Sequence, residues 1–298
     1  MSDTIIDCAP HIRARLAESP VWSPAERALY WITIGLAEEP PAIHRLDPAT
    51  GATKSFVQPE PVGAITLADD GRMLVARRSG IFLMNLATSA QEQVIPAPFD
   101  DNICEFNDGR CDRQGRFWVG TRSPANKPPP GEGHGKLWSL TRGKLVEHTV
   151  GPITSHNGTA ISPDGRTLFT SETVPAQIYA YDLNPDTGAI GPRRIHATLA
   201  QGWADGATID AEGCYWSANV CASRLVRIRP DGSVDREIML PVTFPTMVTF
   251  GGETLDELYI TSGFRRMTEE ERRAEPLAGA ILRVQPGVRG IPEPLYRV

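Results

Sequence analysis

Apolar positions along the chain fall in short runs rather than along helical faces, and the runs recur. Each opens at a tight turn and continues as a strand of aromatic, aliphatic and β-branched residues. The turn-opening residues are Ser23, Ala68, Asp112, Ser162, Asp210 and, more weakly marked, Phe250, which stand 45, 44, 50, 48 and 40 residues apart. The clearest copy is Ser162-Pro163-Asp164-Gly165, which leads into Thr167-Leu168-Phe169-Thr170. Equivalent strands follow the other turns, among them Ala28-Leu29-Tyr30-Trp31, Phe117-Trp118-Val119-Gly120 and Cys214-Tyr215-Trp216-Ser217. A further strand comes next in each repeat, as in Ile43-His44-Arg45-Leu46. Most then run into a glycine-containing turn such as Asp47-Pro48-Ala49-Thr50-Gly51, which closes a hairpin to a fourth strand.

That period, with four strands per repeat, is the period of a propeller blade. The pattern predicts an all-β, six-bladed β-propeller occupying residues 1–298 as a single domain, its blades packing their apolar faces on one another around a central channel. The extended segment Thr4-Ile5-Ile6-Asp7-Cys8 is expected to supply the outer strand of the last blade and close the ring. Two segments depart from the repeat. The stretch 122–135, with Pro128-Pro129-Pro130 at its centre, reads as a surface loop and a candidate lid. Thr268-Glu269-Glu270-Glu271, with capping-box spacing ahead of Pro276, predicts a short helix.

Composition narrows the partners. The net charge is -6 and no run of Lys and Arg interrupts it, which argues against a nucleic-acid surface. Neither an apolar leader nor a membrane-length apolar run occurs, so no membrane is expected and the chain reads as cytoplasmic. Cys8, Cys104, Cys111, Cys214 and Cys221 are odd in number and lack the short-spaced pair of a zinc site, so buried or half-buried reduced thiols are expected.

The chemistry sits five residues before each turn opener, at Glu18, Gly63, Asn107, Asn157, Asp205 and Pro245. Equivalent positions in a repeat should sit at equivalent points near one mouth of the channel, and four of these six carry side-chain oxygen. Two carboxylates and two amides converging from separate blades suit a divalent cation such as calcium, magnesium or manganese. A three-ligand site with open positions also accepts zinc or iron(II). His156, beside Asn157, is a candidate substrate contact, with His134 a weaker one. The Trp and Tyr residues of the second strands read as inter-blade core. No GxSxG, P-loop or HExxH motif is present to support serine-hydrolase, nucleotide or zincin chemistry.

Ala17-Glu18-Ser19-Pro20-Val21-Trp22, Phe106-Asn107-Asp108-Gly109-Arg110-Cys111-Asp112, His156-Asn157-Gly158 and Ala204-Asp205-Gly206 resemble, in combination and in order, the signature segments of the SMP-30/gluconolactonase/regucalcin family. The resemblance implies a six-bladed propeller that opens a sugar lactone to its aldonic acid with one divalent metal ion on the axis, calcium first among the candidates. Glu18, Asn157 and Asp205 would be the metal ligands and Asp205 the catalytic base. Asn107, Asp108, Glu105 and His156 would be the substrate contacts. One position departs: the family often has Arg two residues before the Asn of the Asn-Asp-Gly segment, where it hydrogen-bonds the sugar, and this chain has Glu105. An acceptor there in place of a donor fork points away from a substrate with a second carboxylate near that residue. The expected partner is a small-molecule sugar lactone, with the oligomeric state left open. An esterase or phosphotriesterase on the same scaffold, or a metal-binding regulatory propeller without turnover, are the alternative readings.

Overall fold

The computed structural model describes residues 5–36, 39–123 and 135–298. Residues 124–134 of the candidate lid, with the triple proline and His134, lie outside the described residues. Six four-stranded antiparallel sheets form a ring of blades. Their first strands are Ala17–Ser23, Val62–Leu67, Glu105–Cys111, His156–Ile161, Trp203–Ile209 and Pro245–Gly251, and these pack on one another around the axis. In the sixth blade Pro245–Gly251, Glu257–Ser262 and Leu282–Val284 are completed by Ile6–Asp7, with Ile6 opposite Arg283 and Asp7 opposite Leu282. The N-terminal segment thus closes the ring as the apolar pattern predicts. The short helix also forms, over Glu269–Ala274: Thr268 Oγ1 accepts from the Glu271 N–H at 3.2 Å, and the Glu271 carboxylate accepts from the Thr268 N–H at 2.7 Å.

Packing follows from the alternation of the strands. Both faces of a blade's inner strands meet a neighbouring blade, so those strands are buried along most of their length whether their side chains are apolar or polar. Among the described residues the core divides into six clusters, one at each blade–blade interface. The second-strand aromatics Trp31, Trp118, Trp216, Tyr215 and Tyr259 are fully buried in them. Two turn openers do more than turn. Asp112 accepts from Trp118 Nε1 at 2.9 Å and Arg116 Nε at 2.7 Å; Asp210 accepts from Trp216 Nε1 at 2.9 Å and Arg227 Nε at 2.8 Å. Both carboxylates are fully buried, so each is tolerable only because donors saturate it. No disulfide joins the five cysteines; Cys104, Cys111 and Cys214 are buried and Cys8 half-buried as expected, while Cys221 is exposed at a turn.

The end of the channel away from Glu18 and Asn157 is strapped. The C-terminal segment runs from blades 5 and 6, where Ala211 N–H meets Arg289 O and Gly290 N–H meets Leu255 O, to blades 2 and 3, where Tyr296 N–H meets Leu67 O and Arg297 N–H meets Gly115 O. Arg110 reaches across from blade 3 to Ala207 O at 2.9 Å and Val248 O at 2.8 Å, and ion-pairs with Glu293 of the strap. These contacts leave the mouth near Asn107 and Asn157 as the accessible one. No helix among the described residues is long and apolar enough to cross a membrane.

Candidate active site

Every first strand slips register against its neighbour at the same place. The shifts fall between Glu18 and Val21, Val62 and Ala64, Phe106 and Gly109, Asn157 and Ala160, Ala204 and Ala207, and Pro245 and Met247. A bulge bends a strand and re-aims the side chain beside it. Here six bulges turn the equivalent repeat positions toward the channel mouth. The residues that follow Glu18 and Asn157 carry the backbone cost: Ser19 has φ 50° and Gly158 φ 60°. Ser19 is held there by its hydroxyl, which accepts from the Ile65 N–H of the next blade at 2.9 Å. Gly158 is held by Tyr215, whose hydroxyl donates to Gly158 O at 2.7 Å. At Gly63, the glycine of the set, a Cβ would stand 2.2 Å from Phe106 O, so the neighbouring strand's approach excludes a side chain.

Glu18, Asn107, Asn157 and Asp205 line one cavity of about 590 Å³, within the size range of small-molecule sites. Asn107 Nδ2 donates to Asn157 Oδ1 at 2.6 Å and to His156 O at 2.7 Å, and Asn157 Nδ2 donates to Thr173 Oγ1 at 2.7 Å. These bonds fix the Asn157 amide with its nitrogen on Thr173 and its oxygen on Asn107. Glu18 and Asp205 make no ion pair among the described residues. Desolvation, then Asp205 and Asp108, push Glu18 well above the ordinary carboxylate range. Desolvation, then Asp108, raise Asp205 from 3.8 to about 7, against the pull of Arg122, Arg265 and Arg266. Two half-buried carboxylates that repel a shared negative field, with amide oxygen beside them, are the donor set a hard divalent cation relieves. Among the described residues no group of three His, Cys, Asp or Glu is disposed to hold a metal; the set that fits has two carboxylates and completes itself with amide oxygen.

Two candidate contacts, His156 and Asp108, stand elsewhere than expected, and a third, Glu105, lines the cavity with its carboxylate engaged. The His156 ring is buried, 1% exposed, and packs on Gly120, where a Cβ would come within 2.2 Å of His156 Cβ. Strand alternation sends it to the face opposite Asn157, burial lowers its pKa to about 3, and its contribution to the site is its carbonyl. Asp108 is 5% exposed and lies under the cavity, where Oδ2 accepts from the Thr159 N–H at 2.7 Å and ties blade 3 to blade 4. Burial raises its pKa to about 6, so it acts on Glu18 and Asp205 as a field. Glu105 does line the cavity, but its carboxylate is covered: Oε1 accepts from Arg122 Nε at 2.7 Å and Oε2 from Arg78 Nη2 at 3.5 Å. Arg122 is the cross-strand partner of Glu105, so the guanidinium missing at 105 reaches the cavity from the adjoining strand. Arg15, Arg265 and Arg266 were not singled out by the repeat, because they lie in the connections that the repeat does not constrain, nor was Arg122, at the end of the strand Phe117–Arg122.

A ring of six blades whose bulged inner strands deliver carboxylate and amide oxygen to one open mouth defines a propeller with a small-molecule site on its axis. Residues 16–264 match the family model described as "SMP-30/Gluconolactonase/LRE-like region", and the chain belongs to that family. It is 38% identical over 299 residues to the 6-deoxy-6-sulfogluconolactonase of Pseudomonas putida, covering 99% of each chain. To the pentonolactonase of Haloferax volcanii it is 30% identical, covering 94% of each. Among solved structures it is similar to the calcium-binding protein regucalcin of Agrobacterium tumefaciens, with a TM-score of 0.90 and 25% identity, covering 100% of this chain and 98% of that one.

Proposed function

We propose that the chain is a metal-dependent lactonase that opens a sugar lactone to its aldonic acid. The observation that carries this reading is the convergence of Glu18, Asn157 and Asp205 on one cavity that also presents Asn107 and Arg122. The lactonase names of the relatives support the reaction class, and the calcium-binding relative supports a cation. Glu18, Asn157 and Asp205 would hold one divalent ion, calcium before zinc, manganese, magnesium or iron(II), and its chemistry when bound is that of a Lewis acid toward the lactone carbonyl. The chain's residues do the rest. Asp205, raised toward neutrality by its surroundings, takes the proton of the attacking water and returns it to the ring oxygen as the C–O bond breaks. Asn107, locked by its two acceptors, cannot rotate freely and so presents a fixed polar edge to the substrate. The strap and Arg110 keep the far end of the channel closed.

A pH-indicator assay over a panel of lactones and aryl esters tests this, run on chelated protein with divalent ions added back. Acid release from lactones that disappears on chelation and returns with one ion is the expected result. Release from esters alone would reassign the chain to the esterase reading, and release from neither would leave a metal-binding propeller without turnover.

A further inference from the structure

The walls of the cavity carry more positive charge than its lactonase chemistry uses. Arg15, Arg78, Arg122, Arg265 and Arg266 line it against Glu18, Glu105 and Asp205, an excess of two positive charges in a chain whose net charge is -6. A divalent ion on Glu18 and Asp205 would widen the excess. Of the three carboxylates, Glu105 is already engaged by Arg78 and Arg122 through one oxygen each. Arg122 spends Nε on that pair, leaving its terminal nitrogens for the cavity.

The other guanidiniums have no such partner. Among the described residues, no carboxylate ion-pairs with Arg15, Arg265 or Arg266, and Arg15 Nε is buried without a hydrogen bond. The backbone gathers them: Arg15 O accepts from the Arg265 N–H at 2.9 Å, placing the entry to blade 1 against the segment that follows the second strand of blade 6. Arg266 is held over the Trp203 ring at 4.7 Å from the centroid, a stacking that orients a guanidinium without neutralising it. Burial, then the facing charges of Arg122 and Arg266, depress the pKa of Arg265 against the pull of Glu18 and Asp205, so the guanidiniums repel one another. Like charges assembled at that cost are relieved by an oxyanion with several oxygens, each taking a separate guanidinium.

We propose, on the lactonase reading above, that the substrate carries a strong-acid oxyanion, sulfonate or phosphate, at the end of its carbon chain away from the lactone carbonyl, and that Arg122, Arg265 and Arg266 bind it. The carbonyl belongs beside Glu18 and Asp205. Arg122, Arg265 and Arg266 line the same cavity without an ion pair to either carboxylate among the described residues, so one substrate can meet both groups. The expectation that Glu105 points away from a substrate with a second carboxylate near it rested on a free acceptor, and here that carboxylate is covered by Arg78 and Arg122.

The test has a binding arm and a rate arm. Calorimetric titration of the calcium-loaded protein with gluconate, 6-phosphogluconate and 6-deoxy-6-sulfogluconate compares three open-chain acids that differ only at C6. At least one of the two C6 anions should bind about tenfold or more tighter than gluconate, from charge-assisted bonds to guanidinium, and the preferred one identifies the oxyanion. Arg266→Gln, at an exposed residue with little folding risk, and Arg265→Gln should each shrink that preference about tenfold, and Arg265→Lys should restore part of it. In the rate arm, KM for the preferred anionic lactone should rise in both glutamine variants, with the preference over glucono-1,5-lactone lost in step. Gluconate binding as tightly as both C6 anions, or glutamine variants that leave the preference intact, would overturn the proposal. Failure of the lactones of all three acids to turn over while the C6 preference in binding persists would instead overturn the lactonase reading and leave the anion site standing.

Discussion

Gly158 is where scaffold and site meet, and substituting it tests how the bulge positions Asn157 and Asp205. Its φ is +60°, and a Cβ there would lie 2.1 Å from Tyr215 Oη, 2.6 Å from Ser171 Oγ and 3.0 Å from Asp205 O. Alanine in that conformation costs about 1–2 kcal/mol before any contact is counted. Displacing the Tyr215 hydroxyl, which bonds Gly158 O, removes about another 1 kcal/mol. Gly158→Ala should therefore destabilise by roughly 3 kcal/mol, a fall in Tm of about 6–12 °C. Because the displaced neighbours include the Asp205 backbone, lactonase kcat should fall about a hundredfold. Gly165→Ala is the matched control. Its φ is +73°, but the nearest atom to the new Cβ is Arg113 Cδ at 3.6 Å. It should cost about 1–2 kcal/mol and leave turnover unchanged, since Gly165 belongs to the turn and not to the site. Differential scanning calorimetry and initial rates on both variants decide the matter. Equal activity loss in the two, or wild-type activity in Gly158→Ala, would refute the idea that the bulge rather than the turn builds the site.

Three further outcomes follow from the same contacts. Asp210→Ala leaves Trp216 Nε1 and Arg227 without their shared acceptor and should destabilise by about 3–5 kcal/mol, measured by denaturant unfolding. In chelated protein, Asp205 has a folded pKa of about 7 against 3.8, so the folded state binds the extra proton and Asp205 opposes folding increasingly as pH climbs between those values. Asp205→Asn should accordingly gain stability on the wild type between pH 4 and 7, by no more than about 4 kcal/mol, and a difference that does not vary with pH would count against the shift. Tyr215→Phe removes the bond to Gly158 O and should cost about 1 kcal/mol together with a measurable loss of kcat.

Most of the architecture was legible because a propeller writes its period into the chain. Turn openers such as Ser162 and Asp210 recur at nearly constant intervals, and the oxygen-bearing residues five positions earlier share a register. The edge of the ring was legible too, since Ile6–Asp7 has no other sheet to join. What did not show was anything set by the bulges and connections. His156 pairs in regular register beside Asn157 and so turns to the opposite face of the strand, into the core, which the repeat register of Asn157 by itself does not display. Arg122 opposite Glu105 is a cross-strand relation between residues 17 apart in the chain, and Arg265 and Arg266 follow a strand end outside the repeat. The strap was hidden for the same reason: Tyr296 is buried in the interface of blades 2 and 3, yet no repeat position announces it.

The central claim is that Glu18, Asn157 and Asp205 hold a divalent cation on which lactone opening depends. Metal content by plasma mass spectrometry, determined on the wild type and on Glu18→Ala alongside lactone hydrolysis, tests it most directly. The account predicts one ion per wild-type chain, and in Glu18→Ala loss of that ion with a fall in rate of about 10²–10³. A Glu18→Ala protein that keeps its ion and hydrolyses the lactone at near the wild-type rate would contradict it.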